Sequence, residues 1–155
     1  MSNAVVRFAT PADESRVFTL LTALMEGEPV KLVAGDRIDQ SGAARAVYRD
    51  LLTGERGNAV VLEIAGEVLG VVTFSYVPAI RYGGLYARME ELIVDDRVRG
   101  TGAGVMLVKA AIAEAQRRGC GLMTLYAREH TRAFYEKAGF RYIGPELHYP
   151  IEAMR

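Results

Sequence analysis

Apolar positions along this 155-residue chain recur with two periods, and the switches between them mark its elements. "VVRFAT" predicts a first strand. Val17, Leu20, Leu21 and Leu24 then recur at helical spacing within "TPADESRVFTLLTALMEG". That predicts a helix with Thr10 as N-cap, Pro11 in its first position and Gly27 just past its end. Residues 27–40 read as irregular, and "SGAARAVYRDLLTG" predicts a second helix, capped by Ser41 and stopped near Gly54. "NAVVLEIAGEVLGVVTFSYVP" predicts a hairpin turning at Ala65-Gly66-Glu67. "LYARMEELIVDD" predicts a further strand, followed by a glycine-rich stretch and a long helix through Arg118. "GCGLMTLYA" then reads as a buried strand, "EHTRAFYEKAG" as a short helix, and "FRYIG" with "LHYPI" as a closing hairpin. The order β-α-α-β-β-β-α-β-α-β-β combines hairpins with a strand–helix–strand crossover. It predicts an α/β fold, one domain over residues 1–155, with a mixed sheet and helices on both faces. Residues 1–4 carry no weight in this reading.

Composition narrows the function. Lys plus Arg equals Asp plus Glu, 19 against 19, so no overall basic field draws the chain to nucleic acid or to an anionic membrane. Any anion site has to be built locally. One cysteine, Cys120, excludes an internal disulfide framework and is expected to be a small core residue. No apolar run approaches the ~20 residues of a membrane helix and no secretory leader is evident, so a cytoplasmic protein is expected. His130 and His148 lack metal-ligand spacing, and no metal is expected.

The stretch "DDRVRGTGAGVML" places Gly100, Gly102 and Gly104 between a strand and the start of a helix. A helix N-terminus offers unpaired N–H groups and the positive end of its dipole, and glycines let an anion approach them closely. Arg97 and Arg99 flank the turn and are expected to add charge. Neither common phosphate loop fits. Gly104-Val105-Met106 is not the Gly-Lys-Ser/Thr of a Walker A loop, and the spacing is not G-x-G-x-x-G.

A third template does fit. "ELIVDDRVRGTGAGVMLVKAAIAEAQRRG" resembles the signature of the GNAT superfamily of acetyl-CoA-dependent N-acyltransferases, Arg/Gln-x-x-Gly-x-Gly/Ala, through Arg99, Gly102 and Gly104, with Gly100 and Thr101 between. "FYEKAGF", Phe134 to Phe140, resembles the family's second block. There are two departures: Asp95-Asp96 stands where a proline often follows the strand, and Arg128 where an asparagine is often found.

The resemblance implies a site. The turn from Arg97 to Gly104, with Ala103 opening the helix, would hold the pyrophosphate of coenzyme A. The pantetheine arm would pair with the backbone of Leu92, Ile93 and Val94 much as an added strand does, with the Leu92 N–H polarising the thioester carbonyl. The acceptor would be an amine, and a lysine-like amine of pKa ~10.4 is neutral about once in 2,500 molecules at pH 7, a handicap of roughly 4.6 kcal/mol. Glu90 matches the family's usual base position, with Glu91 in reserve; strand alternation would let only one of them face the cleft. Tyr135 matches the family's proposed acid, suited to hydrogen-bond the departing thiolate.

The expected reaction is acetyl transfer from acetyl-CoA to a primary amine of a small molecule, less readily of a protein, by direct attack. A non-catalytic acyl-CoA-binding module and a transferase of a longer acyl group are the alternatives. A homodimer is left open. Tyr76, Tyr82 and Tyr86 border the "VPAIRYGG" loop as candidate walls of an acceptor pocket or surface aromatics. Glu26, Glu28, Asp36 and Asp39 would suit a cationic acceptor, although solvated loop acids read the same way.

Overall fold

Residues 3–27 and 42–149 are described by the computed structural model. The strands among them are β1 (Ala4–Phe8), β2 (Gly57–Ile64), β3 (Glu67–Ala79), β4 (Gly84–Val94) and β5 (Met123–Leu125). They form one sheet in sequence order, with β1 to β4 antiparallel and β5 added parallel to β4. The helices are α1 (Glu14–Glu26), α2 (Gly42–Leu51), α3 (Ala103–Arg117) and α4 (Glu129–Lys137).

The apolar runs of β2 and β3 follow from their central position, because both faces of these strands are covered. Val61 and Val71 face Val17, Leu20 and Leu21 of α1. Leu62, Val72 and Phe74 face Leu107, Val108 and Ala111 of α3, and Phe134 of α4 packs against the same cluster. The mixed sheet with helices on both faces is therefore as the pattern predicts.

Two features of β4 shape everything that follows. Thr73 pairs with Glu91, but Phe74 pairs with Met89, so Glu90 is an extra residue bulged out of the ladder. A bulge resets the alternation of faces. Ala87 and Met89 point to the α3 face, and so do Leu92 and Val94, whereas Ile93 packs on the α1 side. The second feature is that β5 pairs with β4 only at Ala87, Arg88 and Met89. From Glu90 to Val94 the outer edge of β4 runs on past β5 without a strand partner among the described residues.

Several boundaries differ from expectation. Thr10 and Pro11 open a 3-10 turn (Pro11–Asp13), and α1 begins only at Glu14. The turn is fixed by Asp13, whose carboxylate accepts the Thr10 N–H at 2.8 Å and is gripped by Arg7 at 2.7 and 3.0 Å. Ser41, Glu28, Asp36 and Asp39 lie outside the described residues. "GCGLMTLYA" yields only the three residues of β5. The closing hairpin is not formed by the described part of its sequence: residues 139–149 hold no strand, and Pro145 removes a ladder donor between its two halves. Tyr142, Ile143, Leu147 and Tyr149 are 59, 87, 90 and 88% exposed, so no apolar face is there to fix a register.

Candidate functional site

The glycine turn is held from three sides. Asp95 donates its N–H to Leu69 O at 2.8 Å, and its carboxylate takes Arg16 Nη2 at 2.6 Å and the Arg97 N–H at 3.0 Å. Arg97 and Arg16 hold that carboxyl well below the usual carboxylate range. Asp95 thus anchors the turn to α1 and β3. The guanidinium of Arg97 pairs with Asp95 and, at 2.6 Å, with Glu67. Arg99 pairs with exposed Asp96, at 2.7 Å. Thr101 closes the turn by donating its hydroxyl to Val98 O at 2.5 Å.

The three glycines serve two different needs. Gly100 and Gly102 have φ of +78° and +93°, the left-handed region that glycine enters without steric cost. A Cβ on either would meet nothing within 4 Å, so the space over the turn is open. Gly104 is a packing residue, because a Cβ there would come within 3.2 Å of the Phe134 ring. The first helical bond of α3 runs from the Met106 N–H to Gly102 O at 3.1 Å. The amides of Ala103, Gly104 and Val105 precede it and have no acceptor within the helix. Open space beside amides that have no acceptor within the helix fits a diphosphate.

The unpaired edge of β4 leads away from this cradle. With the Asp95 N–H spent on β3, strand alternation turns the Ile93 peptide toward β3 and those of Leu92 and Val94 outward. Leu92 and Val94 therefore offer backbone donors and acceptors to the gap beyond β5. Ile93 does not; it contributes its side chain to the α1-side core.

Glu90 and Glu91 are both on the α1 side of the sheet, contrary to the expectation that alternation would choose between them. Ser75 Oγ donates to Glu90 Oε1 at 2.9 Å, and Thr73 Oγ1 donates to Glu91 Oε2. Ser75 and Thr73 are two residues apart on β3 and so share a face. The bulge at Glu90 is the cause. The environments differ: Glu90 is solvent-exposed, with Arg88 Nε 3.7 Å away, whereas burial pushes the Glu91 carboxyl up, against the Thr73 hydrogen bond and assisted by the Glu90 charge.

That shift has a thermodynamic consequence. A carboxyl raised in the folded state keeps its proton where the unfolded chain, near 4.5, has lost it. Its contribution to stability is complete below that value and is lost as pH rises toward the folded pKa. Glu91→Gln removes this loss, so the melting temperature of the variant relative to the native protein is expected to increase as the pH rises above about 4.5. A difference that stays constant would mean that Glu91 is not desolvated.

Tyr135 lies on α4 with its ring edge-on to Phe134 at 5.1 Å and to Phe140 at 5.8 Å. Since Phe134 also rests on Gly104, α4 places Tyr135 beside the start of α3. Tyr76 is not a pocket wall: it is buried on the α3 side with its hydroxyl on Asn58 and Arg118 stacked over its ring at 4.3 Å. Tyr82 and Tyr86 pair edge-on at 5.4 Å at the far end of β4. Cys120 is a buried core residue, as expected.

Sequence reasoning passed over Thr73, Ser75, Arg88, Thr124 and Glu146. Arg88 Nη2 contacts both carboxylate oxygens of Glu146, at 2.8 and 2.7 Å, and His148 Nε2 meets the same carboxylate at 2.7 Å. The signal for the β3 pair was present: Thr73 and Ser75 alternate with apolar residues in "VVTFSY", marking a polar strip on an otherwise buried strand.

A glycine turn at a helix start, beside a strand edge that its parallel neighbour leaves open, is the combination that identifies the chain. Residues 17–140 match the acetyltransferase (GNAT) family. The chain belongs to that family. Among proteins similar to this GNAT chain is glucosamine 6-phosphate N-acetyltransferase 1 of Oryza sativa subsp. japonica, 31% identical over 130 residues that cover 83% of this chain and 76% of the rice protein. The glucosamine 6-phosphate N-acetyltransferase of Trypanosoma brucei brucei is 31% identical over 77 residues, 49% of this chain and 52% of its own length. This chain thus spans about half of the Trypanosoma protein. The fold of a predicted acetyltransferase with acetyl-CoA from Clostridium acetobutylicum superposes with a TM-score of 0.80 at 16% identity, covering 96% of both chains. Among the described residues of this GNAT domain no helix is long and apolar enough to cross a membrane.

Proposed function

We propose that this chain transfers the acetyl group of acetyl-CoA to a primary amine of a small molecule by direct attack, without a covalent enzyme intermediate. The observation that carries the reading is the continuity between the amides of residues 103–105 and the outward-facing peptides of Leu92 and Val94. Acetyl-CoA supplies an acetyl group already activated as a thioester. The α3 amides hold its diphosphate, the β4 edge pairs with its amide-rich arm, and the Leu92 N–H donates to the thioester oxygen. Glu90 accepts the proton that the acceptor's ammonium must lose, and the Tyr135 hydroxyl donates to the sulfur that leaves. Glu91, whose carboxyl burial pushes up, lies beside Glu90 on the same side of the sheet and takes no proton from the acceptor.

The acceptor is expected on the α1 side of β4, where Glu90 is exposed. Glucosamine 6-phosphate, the substrate named for the rice and trypanosomal relatives, heads the compounds to test. A panel of amino sugars, their phosphates, polyamines, aminoglycosides and amino acids, incubated with acetyl-CoA and read by released thiol, decides the matter. Turnover of at least one small amine is expected, with acetyl-CoA favoured over longer acyl-CoAs. Tight acetyl-CoA binding with no amine turned over would instead mark a binding module.

A further inference from the structure

Arg88 and Thr124 are register partners across the β4–β5 pair, so their side chains leave the sheet on the same face. Met123 and Leu125 join the α3-side cluster, which puts Thr124 and Arg88 on the opposite side, with Glu90. The Thr124 hydroxyl oxygen is buried and has no hydrogen-bond partner among the described residues. An orphaned buried hydroxyl costs free energy and requires an explanation. Its neighbour Arg88 meets Glu146 through one nitrogen, Nη2, while its Nε lies 3.7 Å from Glu90.

Glu146 is delivered by a segment without regular structure, otherwise tethered by side-chain contacts such as His148 beside the Tyr126 ring and Tyr142 under Arg132. Residues 139–149 have no regular structure, and Ile143, Leu147 and Tyr149 are largely exposed. Arg88 and Glu146 retain 28 and 31% of their side-chain exposure, and ion pairs of that kind contribute little net stability because both partners are well hydrated when apart. A carboxylate on an arm without regular structure, resting on a guanidinium beside the exposed Glu90, has the character of a stand-in for an oxyanion brought by the acceptor.

We propose that Arg88 and Thr124 form an oxyanion subsite that selects acceptors carrying a phosphate or carboxylate as well as the amine, and that Glu146 occupies it until such an acceptor displaces it. The proposal rests on the acetyl-transfer reading above. The guanidinium supplies the forked donors that planar and tetrahedral oxyanions accept, and the Thr124 hydroxyl gains the partner it lacks. Glu90, on the same strand and facing the same side, then meets the amine of the bound molecule.

The test is a ratio. In steady state with saturating acetyl-CoA, kcat/KM is measured for glucosamine and glucosamine 6-phosphate, and for an amino acid and its amide. Arg88→Gln is expected to lower the charged-to-uncharged ratio about tenfold or more, with partial recovery in Arg88→Lys. Glu146→Gln is expected to raise it about threefold, because the competing carboxylate is gone. A larger effect with the phosphate pair than with the carboxylate pair assigns the natural anion as phosphate, and the reverse assigns it as carboxylate. Ratios within about twofold of the native value in both variants, with circular dichroism unchanged, overturn the subsite while leaving acetyl transfer intact. If none of these amines turns over, the coenzyme A-saturated protein is titrated with inorganic phosphate. Tighter binding by Glu146→Gln and weaker binding by Arg88→Gln still support the subsite, and equal binding by all three proteins rejects it.

Discussion

Gly102→Asp is expected to raise the dissociation constant for acetyl-CoA at least a hundredfold, about 2.7 kcal/mol, while leaving the protein folded. The two halves of that expectation have separate causes. A side chain at φ +93° is strained, by ~1–2 kcal/mol for an ordinary residue and less for aspartate, which tolerates the left-handed region better than most. Against this, a carboxylate at the N-cap position of α3 faces unpaired amides and the positive end of the helix, a placement that stabilises by about 1 kcal/mol. The two nearly cancel, so the melting temperature is expected to move by only a few degrees. For the nucleotide nothing cancels. The aspartate takes the amides that a diphosphate would use and sets a like charge beside it. Gly102→Ala carries the strain without the charge and, with open space around the new methyl, is expected to cost less than about tenfold. Calorimetric titration of the three proteins reads the difference. Native affinity in the aspartate variant would remove the start of α3 as the diphosphate cradle.

The glycine turn was legible in the sequence because it rests on local chemistry: a strand, three small residues and a helix start are all visible as letters. The sheet was legible for a similar reason, since the runs around Val61 and Val72 leave no doubt that β2 and β3 are covered on both sides. What stayed hidden is non-local. The bulge at Glu90 depends on how β4 aligns with β3, and no letter in "ARMEELIV" announces it. Without the bulge, alternation is the correct rule, and it separates two glutamates that the fold brings together. The pairing of Arg97 stayed hidden for the same kind of reason. Its position beside the glycines is local, but its partner Glu67 comes from the β2–β3 turn. That the described part of the closing hairpin forms no strand reflects the absence of a buried face, which a run such as "FRYIG" cannot disclose about itself. The Arg88–Glu146 contact spans 58 positions of sequence and has no local signature at all.

Those two glutamates carry the other large effect. Glu90→Gln is expected to lower kcat/KM by about 10²–10⁴ near neutral pH, the usual span of a lost general base. The defect should shrink as the pH approaches that of the free amine, near ~10.4 for an alkylamine, because solvent then supplies the neutral nucleophile that Glu90 otherwise generates. Glutamine keeps an oxygen for the Ser75 hydroxyl, so a structural part for Glu90 predicts a small loss that is equal at every pH. Glu91→Gln gives the contrasting result. Glutamine copies the size and polarity of a protonated carboxyl, the form that desolvation favours at Glu91. Activity within about threefold of native is therefore expected, alongside the altered pH dependence of stability. Should Glu91→Gln prove the more damaging of the two, the proton acceptor is the buried carboxyl, and Glu90 and Ser75 become the groups that tune it. A pH-independent loss in Glu90→Gln would remove Glu90 from proton transfer altogether, and the bulge would then serve only to aim the Leu92 amide into the gap.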